Sequence, residues 1–134
     1  MTDSNTLRFV LIDDDQFLLD MYALKFRQAG HTVEAFASPA EAVDKLRGGL
    51  SVDAIVTDSV MPGMDGLSFI ETIKKEQLGG TPAVIMLSNQ SQEFDIAQAK
   101  ERGADGYIVK ASAVPSEVLS QVLTIISQVH APAA

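Results

Sequence analysis

Short apolar runs alternate along the chain with longer segments whose apolar residues recur every three or four positions. RFVLI (8–12) reads as a strand and stops on three aspartates. DQFLLDMYALKFRQAG (15–30) carries Phe17, Leu18, Tyr22 and Phe26 at near-helical spacing and ends at Gly30. TVEAFA (32–37) alternates like a half-buried strand. SPAEAVDKLRGG (38–49) predicts a helix with Ser38 at the N-cap, Pro39 at the first helical position, Glu41 closing a capping box and Gly48 at the exit. The pattern then repeats: strand DAIVTD (53–58), helix LSFIETIKKEQL (67–78), strand AVIMLS (83–88), helix EFDIAQAKERG (93–103), strand GYIVK (106–110) and helix PSEVLSQVLTIISQV (115–129).

Five strand–helix units predict an α/β fold: a parallel sheet joined by right-handed crossovers, with helices on both faces. Strands 1, 3, 4 and 5 are apolar almost throughout, as strands covered on both faces should be, and strand 2 reads as an edge. One domain over 8–129, with tails at 1–7 and 130–134, suits a chain of 134 residues.

The polar residues fall at one end of these strands. Strand 1 ends at Asp13, Asp14 and Asp15, strand 3 at Asp58, strand 4 at Ser88 and strand 5 at Lys110. In such a sheet, ligands bind outside the carboxyl ends of the strands, where strand order reverses. Crowded carboxylates repel, and a hard divalent cation relieves them. Mg²⁺ with Lys110 and the Ser88 hydroxyl would hold a phosphoryl group attached to one carboxylate. A strand tip that carries a carboxylate into the sharp loop MPGMDG delivers a nucleophile or a metal ligand rather than packing, and Asp58 is the candidate phosphoryl acceptor.

Composition narrows the field. The net charge of −8 argues against a basic nucleic-acid-binding face. No apolar run approaches a membrane span, and the chain has no cysteine, so a cytoplasmic protein without disulfides or thiolate metal sites is expected. His31 and His130 are isolated and receive no phosphohistidine role; NQS at 89–91 is discounted as a glycosylation sequon. Asp15 is assigned as a helix cap, and Asp65-Gly66 as a turn without chemistry. Ser88, Asn89 and Ser91 all stand where they could cap the fourth helix, and the capping and chemical roles of Ser88 remain even.

LIDDD, TDSVMPGMDG, MLS and GYIVK, in order and spacing, resemble the receiver domain of two-component response regulators. The resemblance covers about Arg8 to Val129. It implies a flavodoxin-like (βα)5 doubly wound sheet in three αβα layers, strand order 2-1-3-4-5. It implies that Asp58 is phosphorylated, that Asp13 and Asp14 serve Mg²⁺ with Asp14 the preferred direct ligand, and that Asp58 and the Val60 carbonyl complete the metal site. Ser88 matches the switch hydroxyl, Tyr107 the switch aromatic and Lys110 the lysine that contacts the phosphoryl group. Met61-Pro62 and Gly66 match the loop that shapes the site. The phosphodonor would be a sensor histidine kinase or a histidine phosphotransfer protein. The output would be an unnamed protein docked on the helix 4–strand 5–helix 5 face, with neither nucleic acid nor membrane bound directly. Such a domain catalyses only its own phosphoryl transfer and slow dephosphorylation.

Two residues depart from the pattern. Asn89 stands where the family often has a small residue. Ala111 follows Lys110 where the family usually has a cis proline; a cis bond there would cost about 3 kcal/mol, so a trans path or a strained cis bond is expected. The competing readings are a non-phosphorylated docking module and a Mg²⁺-dependent aspartyl-phosphate phosphohydrolase. Intact Asp14, Asp58, Ser88 and Lys110 count against the first. Val60, where a second acid would be wanted, counts against the second. The absence of a Gly-rich phosphate loop after strand 1 excludes a dinucleotide-binding module.

Overall fold

The computed structural model describes residues 6–129. Five strands, β1 (Arg8–Ile12), β2 (Thr32–Phe36), β3 (Ala54–Thr57), β4 (Ala83–Ser88) and β5 (Gly106–Val109), alternate with α1 (Gln16–Gln28), α2 (Pro39–Arg47), α3 (Gly66–Glu76), α4 (Glu93–Glu101) and α5 (Pro115–Val129). The strands form one sheet in the order β2-β1-β3-β4-β5, every neighbouring pair parallel. The order reverses between β1 and β3, and that is where the site lies.

Strand side chains alternate between faces, and the sheet divides two cores by that parity. Phe9, Leu11, Val56, Ile85, Leu87 and Ile108 pack against α1 and α5. Val10, Ile12, Ile55, Val84 and Met86 pack against α2, α3 and Ala99 of α4. All residues of β3 and β4 are buried, as expected for central strands. β5 is not covered throughout: Tyr107 and Val109 are half-buried, because β5 is an edge of the sheet. β2, the other edge, alternates from Thr32 to Glu34, but Ala35 and Phe36 both turn inward, onto opposite cores.

Several local details differ from expectation. α2 starts after Ser38 behind Pro39, but the Ser38 side chain makes no capping hydrogen bond, so the Ser38/Glu41 capping box is not formed. Proline supplies the helical φ at the first position, and the helix starts there without that side-chain bond. α4 is preceded by Gln92, whose side chain makes no cap bond; Ser88, Asn89 and Ser91 are not its caps. Asp15 caps α1 by accepting from the Leu18 N–H, and Asp65 caps α3 by accepting from the Ser68 N–H at 2.8 Å. Phe17 is 74% exposed, because the buried face of α1 is formed by Leu19, Tyr22, Ala23 and Phe26 and Phe17 lies on the opposite side of the helix. Among the described residues no peptide bond is cis, and Lys110–Ser112 winds into a 3₁₀ turn. His31 is structural: its Nδ1 accepts from the Leu7 N–H at 3.1 Å, and its ring meets Phe9 edge-on. His130 and most of both tails lie outside the described residues.

Candidate functional site

Strand register brings the acidic residues together. Ile12 pairs with Thr57, so Asp13 and Asp58 are the next residues on two adjacent strands. The Asp58 N–H donates to the Ile12 carbonyl at 3.0 Å, and the Asp13 N–H to the Phe36 carbonyl at 3.2 Å. Parity turns both toward the α1/α5 side, with Leu11 and Val56. Ser88 pairs with Val109, so Lys110 is the first residue past β5.

The Lys110 ammonium crosses the end of β4 to reach both acids. Its Nζ lies 2.7 Å from Asp13 Oδ2 and 3.0 Å from Asp58 Oδ2. All three side chains are largely withdrawn from solvent, at 8% exposure for Lys110, 4% for Asp13 and 13% for Asp58. Asp14 is exposed, but one carboxylate oxygen each from Asp13, Asp14 and Asp58 lie within 4.8 Å of one another.

Electrostatics there are unbalanced. Burial pushes the Asp58 carboxyl above the usual aspartate value; the Lys110 hydrogen bond and charge pull it down, and Asp13 pushes it up again. Burial alone would lower the Lys110 ammonium, but its hydrogen bonds to Asp13 and Asp58 outweigh that and hold it above the usual lysine value. One ammonium is shared between two buried carboxylates, with a third beside them. Such a set of hard oxygen donors fits a small divalent cation. Tyr22 of α1 stands within the same field. Its phenol is raised by burial first, then lowered by Lys110 and raised by Asp13, Asp58 and Asp15.

A second group of polar residues faces the α2–α4 side. Extending the Thr57–Met86 pairing by two residues sets Ser59 beside Ser88. Their hydroxyls meet at 2.5 Å, both buried. Ser88 Oγ also accepts from the Gln90 N–H at 3.0 Å. The Tyr107 hydroxyl donates to the Gln90 carbonyl at 2.6 Å. The two groups touch at one point, where the Ser59 N–H donates to Asp58 Oδ1 at 2.7 Å. A cleft of about 260 Å³ opens beside the second group, lined by Ser59, Val60, Met86, Gln90, Gln98 and Tyr107.

The loop after Asp58 is fixed by close backbone packing. The Gly66 N–H donates to the Ser59 carbonyl at 2.8 Å. A Cβ on Gly66 would stand 2.3 Å from the Asp58 carbonyl oxygen and 2.9 Å from Ser59 Cα. This glycine gives the close approach that seats the loop against the end of β3. Met61 is buried and anchors the same loop, while Val60 is 64% exposed.

Asp13, Asp14, Asp58 and Lys110 therefore converge, and Ser88 stands beside them without a hydrogen bond to Asp58 among the described residues. Tyr107 reaches the Ser88 loop through Gln90 rather than through Ser88 itself. Sequence reasoning missed Ser59. The available signal was the order Ser-Val after Asp58; the structure buries the serine and exposes the valine, the reverse of their polarity.

Comparison with known proteins agrees with this architecture. The model of the response regulator receiver domain family matches residues 9–123. The DNA-binding response regulator MtrA of Mycobacterium tuberculosis is 28% identical over 120 residues, 90% of this chain and 50% of MtrA. The nitrate/nitrite response regulator protein NarL of Escherichia coli is 34% identical over 111 residues, 82% of this chain and 50% of NarL. The chain thus spans about half the length of these curated relatives. Among solved structures, Vibrio cholerae chemotaxis protein CheY4 superposes with a TM-score of 0.82 at 24% identity, covering 90% of this chain and 98% of CheY4. The Francisella response regulator 1452 receiver domain gives 0.81 at 23% identity, covering 92% and 99%. A family match over nearly all of the sheet and its helices, on a fold shared with these structures, means that the chain belongs to the response regulator receiver domain family.

Proposed function

We propose that this chain is a phosphorylation switch whose acceptor is Asp58. The observation that carries the reading is the Lys110 ammonium bridging Asp13 and Asp58 inside a three-carboxylate cluster. An Asp58 carboxylate oxygen attacks the phosphorus of a phosphohistidine on a kinase or phosphotransfer protein. The P–N bond breaks, an acyl phosphate forms, and the imidazole leaves with its electron pair. Lys110 exchanges its contact with Asp58 for one with a phosphoryl oxygen. Asp13, Asp14, Asp58 and the Val60 carbonyl would hold Mg²⁺. That ion, when bound, neutralises charge on the transferring group.

Ser88 and Tyr107 form the readout. Ser88 leaves its resting contacts to donate to a phosphoryl oxygen, and Tyr107 follows by releasing the Gln90 carbonyl. The output face runs over α4, β5 and α5, where a groove of about 450 Å³ is lined by Ile96, Lys100, Tyr107, Val109 and Ile125 among others. A partner protein docks there; a net charge of −8 disfavours nucleic acid as the direct ligand. Among the described residues no helix is long and apolar enough to cross a membrane, and we place the switch in the cytoplasm.

Intact-mass spectrometry after incubation with acetyl phosphate or a phosphohistidine donor, with and without Mg²⁺, tests this. One phosphoryl group should be gained only with Mg²⁺, and not by Asp58→Asn. A wild-type chain that gains none from either donor and binds no Mg²⁺ would instead be a docking module.

A further inference from the structure

We propose that Ser59 holds the Ser88 hydroxyl in its resting place and so sets how readily the switch turns. The inference rests on the reading that Asp58 takes the phosphoryl group. Ser59 is buried beside Asp58, its N–H on the Asp58 carboxylate and its hydroxyl on Ser88. Ser88 Oγ accepts from Gln90 and is paired with Ser59. Moving Ser88 to the phosphoryl group therefore breaks the Ser59–Ser88 bond.

A hydroxyl has one proton to donate and two acceptor positions. Whichever serine donates across the pair, their separation strands a buried hydroxyl that was satisfied at rest. Separation of the pair opposes activation directly, because a buried hydroxyl without a partner costs more than its bond contributes. Ser59 is thus a positioning residue: it acts on the acyl phosphate through Ser88. The same contact links acceptor to aromatic, since Asp58, Ser59, Ser88, Gln90 and Tyr107 form one continuous chain of hydrogen bonds. A larger or apolar residue at position 59 would leave Ser88 with Gln90 alone.

The test is an NMR titration of the full chain with beryllofluoride, a phosphoryl mimic, in saturating Mg²⁺. Ser59→Ala should bind beryllofluoride about three- to tenfold more tightly than wild type, with affinity for Mg²⁺ alone unchanged. In a Ser88→Ala background the Ser59 substitution should have no effect, a coupling that a merely structural role would not produce. Should Ser59→Ala fold poorly, Ser59→Cys keeps the side-chain volume and weakens the bond, and is expected to tighten binding in the same direction. Equal or weaker binding by a folded Ser59 variant would overturn the proposal, as would the same tightening without Ser88. A wild-type chain that takes up no beryllofluoride would overturn the phosphorylation reading and this inference together; normal uptake with an inert Ser59 overturns this inference alone.

Discussion

On the α1/α5 side of the carboxyl edge, Asp13, Asp58 and Lys110 are tied by hydrogen bonds between charged groups. On the α2–α4 side, Ser59, Ser88, Gln90 and Tyr107 are tied by hydrogen bonds between neutral ones. The two sets meet just past β3, where Asp58 and Ser59 are consecutive residues turned to opposite sides of the sheet. Their energetics differ severalfold. Removing the cation of a buried ion pair, so that its carboxylates are left unpaired, costs about 3–5 kcal/mol, whereas a neutral bond is worth about 1 kcal/mol. The charged set is suited to hold its geometry while a phosphoryl group is transferred. The neutral set is suited to exchange partners, as a switch must. On the proposed reading, the alternation from Asp58 to Ser59 past β3 would allot chemistry to one side and readout to the other.

The largest effect should come from taking the cation out of the charged set. Lys110→Ala leaves Asp13 and Asp58 facing each other, and should cost about 3 kcal/mol of stability at neutral pH. Urea denaturation measures the loss, and Mg²⁺ should restore part of it. A loss under about 1 kcal/mol would show the cluster to be solvated like a surface pair, and the contrast with the hydroxyl side would fail.

Next is the loop that joins the two sets. Gly66→Ala drives a Cβ into the Asp58 carbonyl oxygen, and should cost about 2–3 kcal/mol in the same melts while slowing phosphorylation. Unchanged stability would mean the loop gives way freely and does not seat the acceptor.

Asp58→Asn should act in the opposite sense. Burial, the largest influence, raises the Asp58 carboxyl above its ordinary value of 3.8. A carboxyl raised in the folded state lowers stability once ionised. That cost is absent below the ordinary pKa, grows as pH rises, and is complete above the folded-state pKa. The variant should therefore melt higher than wild type at neutral pH, and its advantage should vanish as pH falls through 3.8. For Lys110, raised in the folded state, the sign is reversed: its contribution persists below the ordinary 10.5 and disappears only as pH climbs through the folded-state value. A melting difference for Asp58→Asn independent of pH would refute the assignment.

The smallest effect belongs to the neutral set. Tyr107→Phe removes the bond to the Gln90 carbonyl, and should cost about 0.5–1 kcal/mol without changing phosphoryl uptake by mass. A large loss of uptake would tie Tyr107 to the chemistry and erase the division.

The charged set was legible in the sequence because apolar runs that break off on Asp13, Asp58 and Lys110 announce both the strand and its end. The switch position of Ser88 was legible only as one of two roles, because a serine after a strand also reads as a helix cap. Ser59 was not legible. Its burial depends on the register between β3 and β4, fixed by residues far apart in the chain, and local polarity pointed the other way. From its neighbours alone Gly66 reads as an ordinary turn glycine, and the resemblance places it in the loop that shapes the site; the lack of room for a Cβ beside Asp58 arises only once α3 packs back on β3. The capping box at Ser38 and Glu41 was a sound local pattern that α2 does not use.

The chain has two tyrosines, one on each side of the site. Tyr22 lies in the field of the charged set, and Tyr107 is bonded into the neutral set. The most direct measurement is ¹³C NMR of ring-labelled tyrosine during addition of Mg²⁺ and then beryllofluoride. Mg²⁺ alone should shift the Tyr22 signal and leave Tyr107 in place; beryllofluoride should then shift Tyr107. Tyr107 responding fully to Mg²⁺ alone, or staying still when beryllofluoride binds, would contradict the division between chemistry and readout.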